Sequence, residues 1–182
     1  KLIHISSTSV YGEQKGLVDE SCKNLKPKSP YAEIKLKEEN ILKSNTNKIK
    51  YVTFRFGTIA GISKGMRFHT AVNKFSFNTF LNKPLPVWKT MLFKHRPYLS
   101  LTDAFRVFKF TLENNFFRNS IYNALSENLT VDDLIKYFKR NKTNIKVNYV
   151  KSKLINQYSY KVSKEKLNNE GLSLHAKSEN DI

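Results

Sequence analysis

Leu2-Ile3-His4-Ile5-Ser6-Ser7-Thr8-Ser9-Val10-Tyr11-Gly12, followed after a polar loop by Ser29-Pro30-Tyr31-Ala32-Glu33-Ile34-Lys35, is the most informative part of the chain. Leu2 to Ile5 reads as a buried strand, and Ser6, Ser7 and Thr8 place hydroxyls at its carboxyl end, where open α/β sheets bind ligands. Ser29 is a helix cap and Pro30 suits a first helical turn. In the helix that follows, Tyr31 and Lys35 lie four residues apart and so share a face. A nearby cation favours phenolate over phenol, which makes Tyr31 a proton acceptor for redox chemistry on a bound alcohol. In a lysine-rich chain a Tyr-x-x-x-Lys spacing also arises by chance, so the strand and its hydroxyls give the pair its weight.

Working outward, residues 1 to about 61 read as strand, loop, long helix and strand, half of a doubly wound sheet. Ile34, Ile41 and Leu42 are expected to turn toward that sheet. Tyr51 to Phe56 has the apolar, partly β-branched character of a buried strand. Beyond Gly61 a helix is predicted through Phe75, Phe77, Phe80 and Leu81. Another starts at Thr102-Asp103, with Phe105, Val107, Phe108 and Leu112 as its core stripe. Thr130 with Asp133 forms a capping-box start for a helix ending near Arg140. Ile145 to Val150 suggests a short strand, Ser163 to Asn169 a short helix, and the polar tail Ser173 to Ile182 is expected to fray.

The 182 residues carry 32 Lys and Arg against 15 Asp and Glu, a formal charge of +17, with a pI near 9.9. Clustered cations would suggest nucleic acid. Here the lysines are scattered among asparagines without a basic-aromatic platform, so nucleic-acid binding is an unfavoured partner class. No apolar run approaches the length of a membrane span. Cys22 is the only cysteine, which excludes an intramolecular disulfide and fits a reducing, cytoplasmic setting.

The combination resembles the extended short-chain dehydrogenase/reductase family of NAD-dependent epimerases and dehydratases, in which a strand ends in Ser/Thr, Val-Tyr-Gly follows, and Pro-Tyr-x-x-x-Lys comes after a loop. Val52-Thr53-Phe54-Arg55-Phe56-Gly57-Thr58-Ile59-Ala60-Gly61 is similar to the family's next strand and its Arg-x-x-Asn-x-x-Gly turn, with Thr58 where many members have Asn. Arg96-Pro97-Tyr98-Leu99-Ser100-Leu101-Thr102-Asp103 and Ile121-Tyr122-Asn123-Ala124 resemble later blocks, in the same order. The resemblance implies an α/β fold: the carboxyl-terminal part of a Rossmann-like parallel sheet with a small α+β substrate-binding lobe. Residues 1–61 would be the distal part of the NAD-binding domain. Residues 62–182 would be mainly substrate lobe, with 101–141 partly returning to the sheet. No Gly-x-Gly-x-x-Gly occurs, so the chain reads as a fragment without the pyrophosphate cradle, not expected to turn over by itself.

The resemblance also assigns roles. Tyr31 would be the base, Lys35 its partner and a contact to the nicotinamide ribose, and Ser7 the holder of the reacting hydroxyl, with Phe56 and Gly57 beside the cofactor. Thr8, Thr58, Asn73, Pro86, Trp88 and Arg96 would contact the substrate, Arg96 at the nucleotide diphosphate and Pro86 and Trp88 near the base. Arg67 and His69 fall close to this group and allow a second phosphate or sugar contact. Family 4,6-dehydratases carry Asp-Glu where this chain has Thr8 and Ser9, and a hydroxyl cannot protonate a leaving hydroxide as a carboxylic acid can. The implied activity is a nucleotide-sugar epimerase using NAD, NADP remaining open, as a homodimer and without a metal. A reductase of another carbonyl substrate and a non-catalytic nucleic-acid-binding member are the alternatives.

Overall fold

The computed structural model describes residues 1–142, 144–151 and 158–175. Three parallel strands form the central sheet in the order β1 (Leu2–Ser7), β3 (Tyr51–Phe56), β7 (Ser120–Ala124). The register sets Ile5 beside Phe54 and Phe54 beside Tyr122. Because side chains alternate along a strand, this register sorts the sheet into two chemically different faces.

Ile3, Ile5, Val52, Phe54, Phe56 and Tyr122 point to one side. There they form a core with Leu99, Ala104, Val107, Phe116, Leu167, Leu172 and Leu174. Two helices supply much of it: α3 (Leu101–Glu113), capped by Ser100 accepting from the Asp103 amide, and the short α5 (Glu165–Asn169). The other face carries His4, Ser6, Thr53, Arg55 and Asn123 and receives α1 (Pro30–Lys43). The α1 start agrees with its sequence, since Ser29 Oγ accepts from the Ala32 amide and Pro30 occupies the first turn.

A polar face under α1 overturns the expectation for that helix. Ala32 and Glu39 are its buried residues, whereas Ile34 is 53% and Ile41 63% exposed. Glu39 turns inward because Ser6 and Arg55 on the sheet supply donors for a carboxylate, and the rest of the helix must rotate with it. On α3 the inward face is Ala104, Val107 and Thr111, with Phe108 packed at its edge. Phe105 and Leu112, seven residues apart, share the opposite side and are exposed, so only part of the predicted aromatic stripe is core.

A second apolar cluster joins Ala60, Val72, Phe75, Leu85, Val87, Tyr98, Leu134, Ile135 and Phe138. It lies among α2 (Ala71–Phe80), α4 (Val131–Asn141) and two small sheets. In one, β4 (Thr58–Ala60) runs parallel to β6 (Arg96–Ser100), which pairs antiparallel with β8 (Glu127–Leu129). In the other, β5 (Leu85–Trp88) pairs with β9 (Val147–Val150). A third pair, β2 (Leu17–Val18) with β10 (Lys161–Val162), borders a cluster of Val10, Tyr11, Leu125, Tyr160 and Val162. Part of the tail expected to fray, residues 176–182, lies outside the described residues.

The capping box of α4 forms as the sequence predicts. Thr130 Oγ1 accepts from the Asp133 amide at 3.1 Å, and Asp133 Oδ2 accepts from the Thr130 amide at 2.9 Å and hydroxyl at 2.6 Å. Those Thr130 bonds hold the Asp133 carboxyl below its ordinary titration range. Thr130→Ala is expected to cost about 1 kcal/mol. The ionic share is present above the ordinary aspartate pKa and disappears as pH falls through the lowered one. Urea melts of both proteins across that acidic range check this, and a constant difference would remove Asp133 from the account.

Candidate active site

β1 and β3 end side by side, and the chain turns sharply after each. After β1, a short turn (Thr8–Tyr11) begins with Ser7 Oγ accepting from the Ser9 amide at 3.2 Å and hydroxyl at 2.9 Å. Gly12 closes it at φ +64°, where a Cβ would collide with the Lys26 carbonyl oxygen, so the Val-Tyr-Gly signature has a steric cause. After β3, Gly57 lets the backbone pass close to Pro97, whose carbonyl oxygen would lie 3.0 Å from an added Cβ.

A cavity of about 440 Å³ opens at these strand ends. It is lined by Ser7, Thr8, Tyr31, Phe56, Gly57, Thr58, Asn73 and Arg96, so eight predicted residues meet in one place. Tyr31 is 55% exposed at its rim. Thr8 is buried, donates to the Phe56 carbonyl at 3.2 Å and lies 3.4 Å from the Tyr160 hydroxyl. Asn73 is buried and holds the following loop, with Nδ2 donating to the Arg67 carbonyl at 3.3 Å. Lys35 is not in the lining. Its ammonium lies 5.9 Å from the Tyr31 ring centre and 2.8 Å from Glu38 Oε2.

Pro86 and Trp88 are also outside the lining. They lie on β5 against β9, and Trp88 is 40% exposed. The strand pairing, invisible to local sequence, carries them to another edge of the second cluster. Two lining residues had weaker signals. Tyr160 stacks on the Arg96 guanidinium at 5.4 Å and comes from a distant segment with no motif. Arg67 lines the cavity with its guanidinium 2.6 Å from His69 Nε2.

The electrostatics are one-sided: the lining includes Arg67 and Arg96 and no Asp or Glu. Neither arginine has a carboxylate partner among the described residues. Ser6, which lines the cavity, also bonds to a buried ion pair. Glu39 accepts from Arg55 Nε at 2.9 Å and Nη2 at 2.6 Å, and from Ser6 at 2.6 Å. Burial opposes the Arg55 charge, but the Glu39 hydrogen bonds and Tyr11 outweigh it, and its pKa is raised. Tyr11 packs on that guanidinium at 4.8 Å and donates to Asn123. Burial pushes the Tyr11 phenol up to about 12 despite Arg55, so it stays neutral and structural.

The cavity lies where open α/β sheets bind their ligands, at the carboxyl ends of parallel strands, with Ser7 and Tyr31 in its lining and Lys35 beside Tyr31. The chain belongs to the NAD dependent epimerase/dehydratase family, whose profile matches residues 1–124. Among solved structures it is similar to the dTDP-glucose 4,6-dehydratase of Bacillus anthracis in complex with NAD: 21% identity, TM-score 0.81, covering 100% of this chain and 58% of that one. It is similar too to the UDP-N-acetylglucosamine 4-epimerase of Methanobrevibacter ruminantium, at 19% identity and TM-score 0.82, covering 96% and 57%. The Thermus thermophilus UDP-glucose 4-epimerase complexed with NAD gives 20% identity and TM-score 0.77, covering 94% and 58%. The chain thus spans somewhat under three-fifths of these structures, and at such identities the likeness concerns the fold. No curated protein matches by sequence.

Proposed function

We propose that this chain is the catalytic and substrate-binding part of an NAD-dependent nucleotide-sugar epimerase. The observation that carries the proposal is the cavity itself: Ser7 and Tyr31 share it with two arginines and no carboxylate. Arg96 would take the diphosphate, for which a planar guanidinium is suited. Ser7 would hold the reacting sugar hydroxyl and Tyr31 would remove its proton, then return it after the keto-sugar has turned over in the site. A dehydratase needs an acid for the departing hydroxide, and the lining supplies hydroxyls there, Thr8 and Ser9.

The donor set fits one end of NAD: Ser7 at the end of β1 and Tyr31 on α1 line the cavity, and Lys35, 5.9 Å from the Tyr31 ring, would hold the nicotinamide ribose. The six glycines include no Gly-x-Gly-x-x-Gly for a pyrophosphate. When bound, the cofactor accepts and gives back a hydride. The test uses protein expressed from the complete natural coding sequence, with UDP-, GDP- and dTDP-linked neutral and acidic sugars, following stereoisomers chromatographically. A new stereoisomer without net NADH supports the reading. Stoichiometric loss of NAD(P)H would instead identify a reductase, and no conversion would sink the epimerase.

A homodimer through α1 is part of the same reading, supported by the outward Ile34 and Ile41. Ile41→Glu is expected to convert a dimer to a monomer in sedimentation velocity at micromolar concentration, because burying a charge at an apolar contact is unfavourable. A monomeric wild-type protein would remove the dimer from the proposal.

A further inference from the structure

On the polar face of the sheet, Lys35 is one member of a three-group cluster. Its Nζ lies 2.8 Å from Glu38 Oε2, and the His4 Nε2 lies 3.0 Å from the same oxygen. The other imidazole nitrogen, Nδ1, is 3.2 Å from the Thr53 hydroxyl. That hydroxyl can donate to a neutral ring or accept from a protonated one, so either state of His4 fits without rearrangement. Thr53 is fixed by the strand register, opposite His4.

We propose that Glu38 is a positioning residue that holds the Lys35 ammonium beside Tyr31, and that protonation of His4 weakens this hold by competing for the shared carboxylate oxygen. This rests on the reading of Tyr31 and Lys35 given above and adds a regulator to it. The charge arithmetic is simple. With His4 neutral, Glu38 and Lys35 cancel, and little net charge faces the Tyr31 ring. With His4 protonated, the cluster carries a net single positive charge, two cations share one carboxylate oxygen, and Lys35 is held less firmly beside the phenol.

The other charged and titratable groups on this layer are Glu39 of α1, Tyr51 and Arg55 of β3, and Tyr11. Glu39 and Arg55 are bound to one another. Burial, with the Glu39 charge second, raises the Tyr51 pKa, and Tyr11 is raised likewise by burial, so both phenols stay neutral. The Glu20 carboxyl, which accepts from the Asn123 amide at 2.6 Å, has its pKa raised by burial; it bonds on the far strand β7, whereas His4, Glu38 and Lys35 are joined on β1 and α1. The Glu38 carboxyl is held below its ordinary range by the His4 contact and then by Lys35. Its side chain is 39% exposed, that of Lys35 21% and that of His4 12%, so protons reach the cluster while the geometry stays packed.

Protein expressed from the complete natural coding sequence allows a test that needs no substrate. The His4 imidazole and the Lys35 ¹⁵Nζ shift are followed by NMR between about pH 8 and pH 5, the span over which histidines titrate, with Lys35→Arg and His4→Gln assigning the signals. The wild-type Lys35 nitrogen is expected to shift in step with His4. In Glu38→Gln that step should shrink at least about threefold, a neutral amide holding an ammonium more weakly than a carboxylate does. Glu38→Asp should partly restore it, and an unchanged amide spectrum would show that the fold is kept. A Lys35 signal that ignores His4 in the wild type, or follows it equally in Glu38→Gln, overturns the proposal. Failure of the epimerase reading shows up separately, as absence of sugar conversion with the coupling intact.

Discussion

Glu39→Ala is expected to destabilise the protein by about 3–5 kcal/mol, the usual consequence of leaving one partner of a buried ion pair uncompensated. Glu39 and Arg55 are almost wholly buried, at 0% and 2% side-chain exposure. Removing the carboxylate would orphan Arg55 Nε and Nη2 and the Ser6 hydroxyl together, and Arg55 Nη1 already has no partner among the described residues. Against a total stability of about 5–15 kcal/mol this is a large fraction. Glu39→Gln keeps an oxygen for Ser6 and Arg55 and should lose less. Glu39→Met combined with Arg55→Met removes both charges and should recover most of the loss, since well-packed apolar replacements of buried pairs are often neutral. Urea unfolding of the three variants decides it. A Glu39→Ala loss below about 1 kcal/mol would mean that water reaches Arg55 and that the pair is not dry.

Tyr31→Phe should lower the proposed epimerisation about 10²–10⁴-fold, the typical contribution of a positioned acid–base group. Its stability should be nearly unchanged. The ring stays, Tyr31 is 55% exposed, and its hydroxyl makes no hydrogen bond among the described residues. This contrast with Glu39→Ala separates chemistry from scaffolding. The decisive measurement is initial rate at saturating nucleotide sugar beside a thermal melt. A variant keeping more than a tenth of the rate would remove Tyr31 as the base and shift attention to the hydroxyls of Ser7 and Ser9, 2.9 Å apart.

The buried pair also shows where pattern reading of this sequence reaches its limit. Hydrophobic periodicity assumes that the face a helix buries is its apolar one. In α1 the buried residues are Ala32 and Glu39, seven apart on one face, and the isoleucines are turned out. A buried Glu39 gains meaning only when Ser6 and Arg55 are known to lie beneath it. In α3 the misplacement of Phe105 and Leu112 is milder, because Ala104, Val107 and Thr111 are small enough to bring the helix close to the sheet.

The sequence by itself determined what depends on neighbours within a few residues. The strand begun at Leu2–Ile5, the Ser29-Pro30 start of α1, the Thr130–Asp133 capping box and the shared helix face of Tyr31 and Lys35 all follow from local dihedrals, caps and helical repeat. Only the tertiary structure decided which side of each helix is buried, that Arg96 and Tyr160 stack at the same cavity as Ser7, that Pro86 and Trp88 lie away from it, and that Glu38 and His4 share Lys35. Those outcomes depend on strand register and packing between segments up to about 150 residues apart, where no local preference acts and where each contact exists only if the whole sheet is already in place.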